Sequence, residues 1–429
     1  MHQPVLAAVL LGPAACLPPQ RAAPSVVQQP APGLAVYDTE VRVDPGAASL
    51  QARTTVTFVA GDSTARKVGF LLNRGLQLQE VRGPAVRAHR SGQSEYSPAW
   101  NLVEVELDGS VVPGTAVTVQ MTYAGTPEFS SDNINGISGD RVELNLDSQW
   151  HPVLATFDHQ MTGVLRAQLP PGWAVVSGGS VTREDGVHVI RNTVPKVDVA
   201  FTAAPSFTRT QSEHFTVHSR QADARTVSAV LKAAESCARY LNAQYGARDR
   251  LPRANLVLAD RQGPGYGRKD YIVLSEVNPD DRAGVHRFLC HELAHFWTRS
   301  AGSFSPHHWM TEAFAEYASA RYLREHFGEP AFASLVAQWE AVGRAHGPVW
   351  EPASTRRPSF FVMYRRAPYL LSQLEARIGT AAFDRFIAAY MTEGVTTTPQ
   401  LLEQLEAVAG AEAAEWFSEQ LASRPPPAS

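Results

Sequence analysis

The segment His291-Glu292-Leu293-Ala294-His295 holds the residue types and spacing that most directly suggest chemistry. On a helix, histidines four residues apart share one face, about 40° apart, so both imidazoles reach a single cation. Glu292 is rotated off that face and addresses a water beside the cation instead of the cation itself. Two ligands and a base form the logic of zinc hydrolases. Two histidines leave a tetrahedral catalytic zinc one protein ligand short, and two histidines plus a glutamate is the common completion. Glu312, within Trp309-Met310-Thr311-Glu312-Ala313-Phe314-Ala315-Glu316-Tyr317, is the leading third ligand. Glu316, one turn later on the same face, suits an acceptor for the N–H of a ligand imidazole. His307 and His308 read as loop residues, because a third histidine would compete with Glu312. Cys290 lies one helical step off the ligand face and reads as a core thiol.

These side chains need helices to hold them, and the sequence supplies start and stop signals. Asn278 as N-cap, Pro279 at the first helical position and acidic Asp280 and Asp281 predict a helix from 278 to about 301, ended by Gly302. A second helix is expected over 311–327, stopped by Gly328, and a third over 368–379. The chain from there to 422 reads as helical. Upstream, a helix is expected over 223–246, with short strands at Ala254–Ala259 and 271–274.

Residues 34–207 follow a different period. Tyr37, Thr39, Val41 and Val43 alternate with charged residues, as do Val103, Val105 and Leu107, and Val117, Val119, Met121 and Tyr123 alternate with small or polar ones. Asp44-Pro45-Gly46, Pro113-Gly114 and Pro170-Pro171-Gly172 punctuate these runs. Period two with such punctuation indicates half-exposed strands and a sandwich or saddle of sheets. The whole is a multidomain α+β chain, with a β domain over 34–207 and a mainly helical domain over 208–422.

The termini read as processing and tether segments. Residues 1–16 form a short apolar run ending in Ala14-Ala15-Cys16, which suits a signal peptide with a lipoprotein box. Residues 17–33 form a Pro-rich tether, and 423–429 a disordered tail. This points to an exported protein of the periplasm or cell envelope, with Cys16 as a possible site of lipid anchoring. The remaining cysteines, Cys237 and Cys290, cannot be paired or left free from sequence alone. With 38 basic and 42 acidic residues the chain lacks the positive field of a nucleic-acid binder. Its 44% hydrophobic content argues against wholesale disorder.

Taken together, HELAH and WMTEAFAEY resemble elements of the aminopeptidase N / leukotriene hydrolase family of zinc peptidases, the gluzincins. The likeness extends over most of the chain. It includes VYDTEVRVDPGAASLQARTTVTF near the start, Tyr245-Gly246 with LPRANLVLAD, Met363-Tyr364-Arg365-Arg366-Ala367, and Gly379 to Tyr390. The resemblance implies a saddle-like β domain and a thermolysin-like catalytic domain. It further implies one Zn²⁺ held by His291, His295 and Glu312, Glu292 as general base, and Tyr364 as the hydroxyl that stabilises the oxyanion. A phenol just before a helix N-terminus is a sound donor for that charge.

Three departures qualify the resemblance. The 16 residues between His295 and Glu312 are two fewer than the family's usual spacer. The family's G-x-M-E-N element, whose glutamate binds a substrate amino group, is replaced by Gly265-Tyr266-Gly267-Arg268-Lys269. A cation at Arg268 cannot hold an amine; it suits a carboxylate, while the glycines suit an edge that pairs with a peptide backbone. Gln149 falls at the family's other substrate-wall position, and Arg366 and Ala367 replace its lysine and glycine. No large C-terminal helical domain follows, which implies a more open cleft. The reading is an exported zinc metallopeptidase, aminopeptidase-like by resemblance. Two others stand beside it: an endopeptidase or hydrolase of modified or acidic peptides, and a non-catalytic envelope binding protein with a structural zinc.

Overall fold

A computed structural model describes residues 30–129, 134–298 and 302–424. The proposed leader, Cys16, most of the tether and Pro425–Pro427 lie outside the described residues. The N-terminal region is built of strands. A seven-stranded sheet runs, in spatial order, Ser180–Glu184, Val187–Lys196, Gln160–Gln168, Leu34–Asp44, Ser49–Val59, Ala116–Gly125 and Leu76–Arg82. The expected alternation is present: Tyr37, Thr39, Val41 and Val43 point inward while their neighbours stay wet. Thr39 sits among apolar residues because its hydroxyl donates to Thr54, which in turn pairs with the buried Tyr123 hydroxyl.

A four-stranded sheet packs on the inner face, with Lys67–Asn73 and Trp100–Leu107 at its centre. The two sheets share one core, in which the rings of Phe58 and Phe70 meet edge to face at 6.2 Å. A third small sheet, containing Arg141–Leu144 and Phe201–Ala204, leads to the second region.

From Thr208 onward, a five-stranded sheet carries the helices. Its order is Thr208–Gln211, Phe215–Ser219, Ala254–Ala259, Tyr271–Ser275 and Tyr266–Gly267, the last forming a two-residue edge. Helix α1 (Ala224–Tyr245) starts on Asp223, whose carboxylate accepts from Thr226 N–H, and stops at Gly246. Helices α2 (Arg282–Ala294) and α3 (Trp309–Phe327) pack against each other and carry the histidines and glutamates of interest. They are followed by α4 (Glu329–Gly343), α5 (Ala367–Ile378), α6 (Thr380–Glu393), α7 (Thr398–Ala409) and α8 (Ala411–Ala422).

Two helix boundaries differ from expectation. Helix α2 starts at Arg282, because Asp281 caps it through Gly284 N–H; Asn278 instead closes a turn by accepting from Asp280 N–H. It ends at Ala294, since Phe296 and Trp297 donate to carbonyls only three residues back. Helix α4 has no counterpart among the expected elements, although Pro330 in its first turn is a start signal.

Cys237 of α1 and Cys290 of α2 form a disulfide, the pairing that the sequence left open, and Cys290 is buried in the core as a half-cystine instead of a thiol. The bond ties the helix bearing His291 to its neighbour across a sequence separation of 53. By chain-entropy reasoning, Cys237→Ser should lower unfolding free energy by about 2–4 kcal/mol. Chemical denaturation with and without reductant checks this: the wild-type midpoint should fall under reductant and that of the variant should not move.

Candidate metal centre

Helix α2 delivers His291 and His295 one turn apart, and α3 faces them with Glu312. The Nε2 atoms of the two histidines lie 3.2 Å apart, and Glu312 Oε2 lies 3.5 Å from each. Glu316 Oε2 is 3.1 Å from His291 Nδ1, and Thr298 Oγ1 is 3.2 Å from His295 Nδ1. With both Nδ1 atoms engaged, both Nε2 lone pairs face one point. Glu312 Oε2 is buried and, among the described residues, finds no hydrogen-bond partner. Two imidazole nitrogens and a carboxylate oxygen buried this close together call for positive charge among them, either a proton on an imidazole or a metal ion in its place. The edges of a tetrahedron with zinc–nitrogen and zinc–oxygen bonds measure about 3.3 Å, which matches this triangle. The residues present therefore fit a zinc ion, and the shortened spacer before Glu312 does not move it off the site.

The surroundings hold these groups in place. Glu316 is buried; its other oxygen meets Arg287 and, at 3.3 Å, accepts from Trp339 Nε1. Burial alone would raise its pKa, but His291 and Arg287 outweigh this and bring it down to about 2. For His291, burial opposes the charged form, while the carboxylates of Glu312 and Glu316 lift its pKa to about 10. The pocket's own field thus calls for positive charge. His308, read from sequence as a loop residue, is buried at the start of α3 with Nε2 3.3 Å from Glu312 Oε1. Its i, i+4 spacing to Glu312 was the available signal. His307 instead pairs with Thr398, at 3.0 Å.

Glu292 and Tyr364 reach the same cleft, about 1200 Å³ of solvent-open space. Tyr364 stacks on the His291 ring at 5.7 Å and lies on a π-helical turn, Val362–Arg366, that precedes α5. That turn approaches α4 closely at Gly343, where a Cβ would sit 2.9 Å from Arg366 Cα. Burial raises the Tyr364 pKa well above its ordinary value, and Glu312 and Glu292 raise it further, so the phenol keeps its proton.

The edge strand Tyr266–Gly267 forms the opposite lip. A Cβ on Gly265 would strike Phe288 Cζ and Val273 O at 2.5 Å, and one on Gly267 would strike Glu292 Oε2 at 2.6 Å. The two glycines thus let the strand lie directly on α2, with Gly267 against the side chain of Glu292.

Three residues expected to bind substrate are placed differently. Arg268 lines the cleft, but its Nε donates to buried Asp198 Oδ1 at 2.7 Å and its NH1 to Gly267 O at 2.9 Å. Arg366 is buried and donates to Ser423 O at 2.6 Å, away from the cleft. Gln149 is fully buried in the β region and does not line the cleft. In each case a tertiary partner or burial, invisible in sequence, decides the placement.

No family model matches the chain, and no curated protein matches it. Solved structures do. An M1 zinc metallopeptidase from Deinococcus radiodurans superposes with a TM-score of 0.66 at 19% identity, covering 92% of this chain and 96% of that one. A two-domain M1 zinc metallopeptidase bound to L-arginine gives 0.69 at 21% identity, covering 91% and 94%. Native yeast LTA4 hydrolase gives 0.72 at 16% identity, covering 92% of this chain and 68% of its own. The fold is that of the M1 zinc metallopeptidases and LTA4 hydrolase, a β-rich region followed by a mainly helical one.

Two substitutions test the geometry. Gly267→Ala should push Glu292 aside and lower kcat about 10²-fold while bound metal stays at wild-type stoichiometry, read by turnover beside elemental analysis. Glu316→Gln should weaken metal affinity about 10- to 100-fold, read by competition with a chromogenic chelator.

Proposed function

We propose that this protein is a zinc-dependent peptidase, aminopeptidase-like in its recognition. The observation that carries the reading is the triangle of His291 Nε2, His295 Nε2 and Glu312 Oε2, at 3.2–3.5 Å, opening on the cleft that also holds Glu292 and Tyr364. Zinc supplies Lewis acidity that activates water and polarises a carbonyl. Glu292 accepts the proton of the attacking water on its carboxylate and passes it to the leaving amine. Tyr364 donates its phenolic hydrogen to the developing oxyanion. Glu316 holds His291 through Nδ1 and fixes the direction of its Nε2 lone pair. A purely structural zinc site would need neither Glu292 nor Tyr364, which disfavours the non-catalytic reading.

For the amine end of a substrate, Arg268 offers no acceptor, but Asp147 carries a carboxylate on the β-region wall of the same cleft. This supports the exopeptidase reading. The endopeptidase alternative predicts that N-acetylated peptides are cut faster than free ones. The disulfide Cys237–Cys290 supports export, since such bonds persist in oxidising compartments. A leader over residues 1–16 and lipid attachment at Cys16 belong to the same proposal.

The test is metal analysis with mutagenesis. Purified protein should hold one zinc per chain, and chelation should abolish peptidase activity that zinc restores. Glu292→Gln should keep the zinc and lose about 10²- to 10⁴-fold in kcat. Absence of bound zinc, or full activity in Glu292→Gln, rejects the proposal.

A further inference from the structure

The cleft wall carries four cations, Lys196, Arg268, Lys269 and Arg357, with different surroundings, and Lys269 is itself engaged by a neighbour. Arg268 is paired with buried Asp198, and its guanidinium also lies 5.0 Å from the centre of the Tyr266 ring. Lys196 is buried and paired with Asp270. Each of these pairs is close to neutral as seen from the cleft. Arg357 is the contrasting case. It is exposed, lines the same cleft, and makes no hydrogen bond or ion pair with the described residues. It lies on the segment leading into the π turn that holds Tyr364, and its charge is felt by both Tyr364 and Asp147.

A guanidinium presents five donors in a planar fork that matches a carboxylate. Asp147 lines the β-region wall, so a carboxylate and the Arg357 guanidinium both face the cleft. A short peptide with a positive amino end and a negative carboxylate has the complementary polarity.

We propose that Arg357 is a specificity-determining residue that receives a substrate carboxylate, so that the protein prefers short peptides with a carboxylate near the scissile bond. The inference rests on the peptidase reading above and names the substrate class of that site. The carboxylate has two sources, the C-terminus of a di- or tripeptide or an acidic side chain, and both present the same group to the fork.

The experiment uses zinc-loaded protein and two pairs of peptides: Ala-Ala-Ala as the free acid and as the C-terminal amide, and Ala-Glu-Ala-amide against Ala-Gln-Ala-amide. Wild-type kcat/KM should favour the charged member of one pair by about 10- to 100-fold. Preference in the first pair assigns the C-terminal carboxylate, and preference in the second assigns the side chain. Arg357→Gln should bring that ratio close to one, while Arg356→Gln, at an exposed neighbour that does not line the cleft, should preserve it. Ratios near one in the wild type, a ratio kept in Arg357→Gln, or equal loss in both variants overturns the proposal. The same pairs titrated calorimetrically into Glu292→Gln protein read the preference without turnover. A chain that cleaves none of the peptides rejects the peptidase reading, and the binding ratio still decides the role of Arg357.

Discussion

Two imidazole nitrogens and a carboxylate oxygen face one buried point from three sides, and much of the helical region is arranged to keep them there. Without positive charge, as a metal ion or as a proton on His291, this arrangement is unfavourable, because buried acceptors repel one another and lack donors. The helices supply the opposing support. Helix α2 ends one residue before His295, so the second ligand sits where the chain has begun to turn. Helix α3 begins close enough to Glu312 that His308 engages the oxygen of Glu312 turned away from the histidine triangle. Glu316 anchors His291 and is itself held by Arg287 and Trp339. Each support acts on a ligand's orientation, which is the property a metal site is most sensitive to.

The cleft has its own constraint. One wall comes from the β region and the other from the helices, so the seam between them has to be stiff. Arg261 pairs with fully buried Glu143 at 2.8 Å, Arg268 with Asp198, and Lys196 with Asp270; Tyr271 meets Thr202 at 2.5 Å. Buried ion pairs contribute little net stability, because desolvation offsets the attraction, but they penalise any displacement that separates the partners. That makes them suited to fixing the register of the edge strand Tyr266–Gly267, whose glycines already bring it against Glu292 and Phe288.

The parts of this architecture that are local in sequence were legible. Period two marked Tyr37 through Val43 and Val117 through Tyr123 as half-buried strands, because the pleat imposes that period. Asp223, Gly246 and Gly328 bounded helices through capping chemistry that needs no tertiary context. The i, i+4 pair His291/His295 announced a shared face, and the structure brings Glu312 to it. What escaped depended on distant partners. The π turn under Tyr364 lies against Gly343 of α4, and Cys290 finds Cys237 only once α1 and α2 pack. Arg366 and Gln149 occupied suggestive positions but were drawn inward. The start of α2 was misplaced by three residues because Asn278 and Asp281 are both competent caps, and only the folded chain selects between them.

Arg268 shows how such a misreading arises for specificity. An arginine at the place where the resembling family keeps an amine-binding glutamate suggests a cleft of inverted charge. Asp198, 70 residues away in sequence, removes most of that inversion by meeting the guanidinium from below. The field a substrate encounters comes from groups without a close partner of opposite sign, since paired charges at 2.7 Å act at a distance as a dipole. A charged substitution next to a catalytic centre therefore carries two possible meanings, and the partner decides between them. Where a buried partner is present, the new charge belongs to the scaffold and holds the seam. Where none is present among the described residues, as at Arg357, the charge is left available to a ligand.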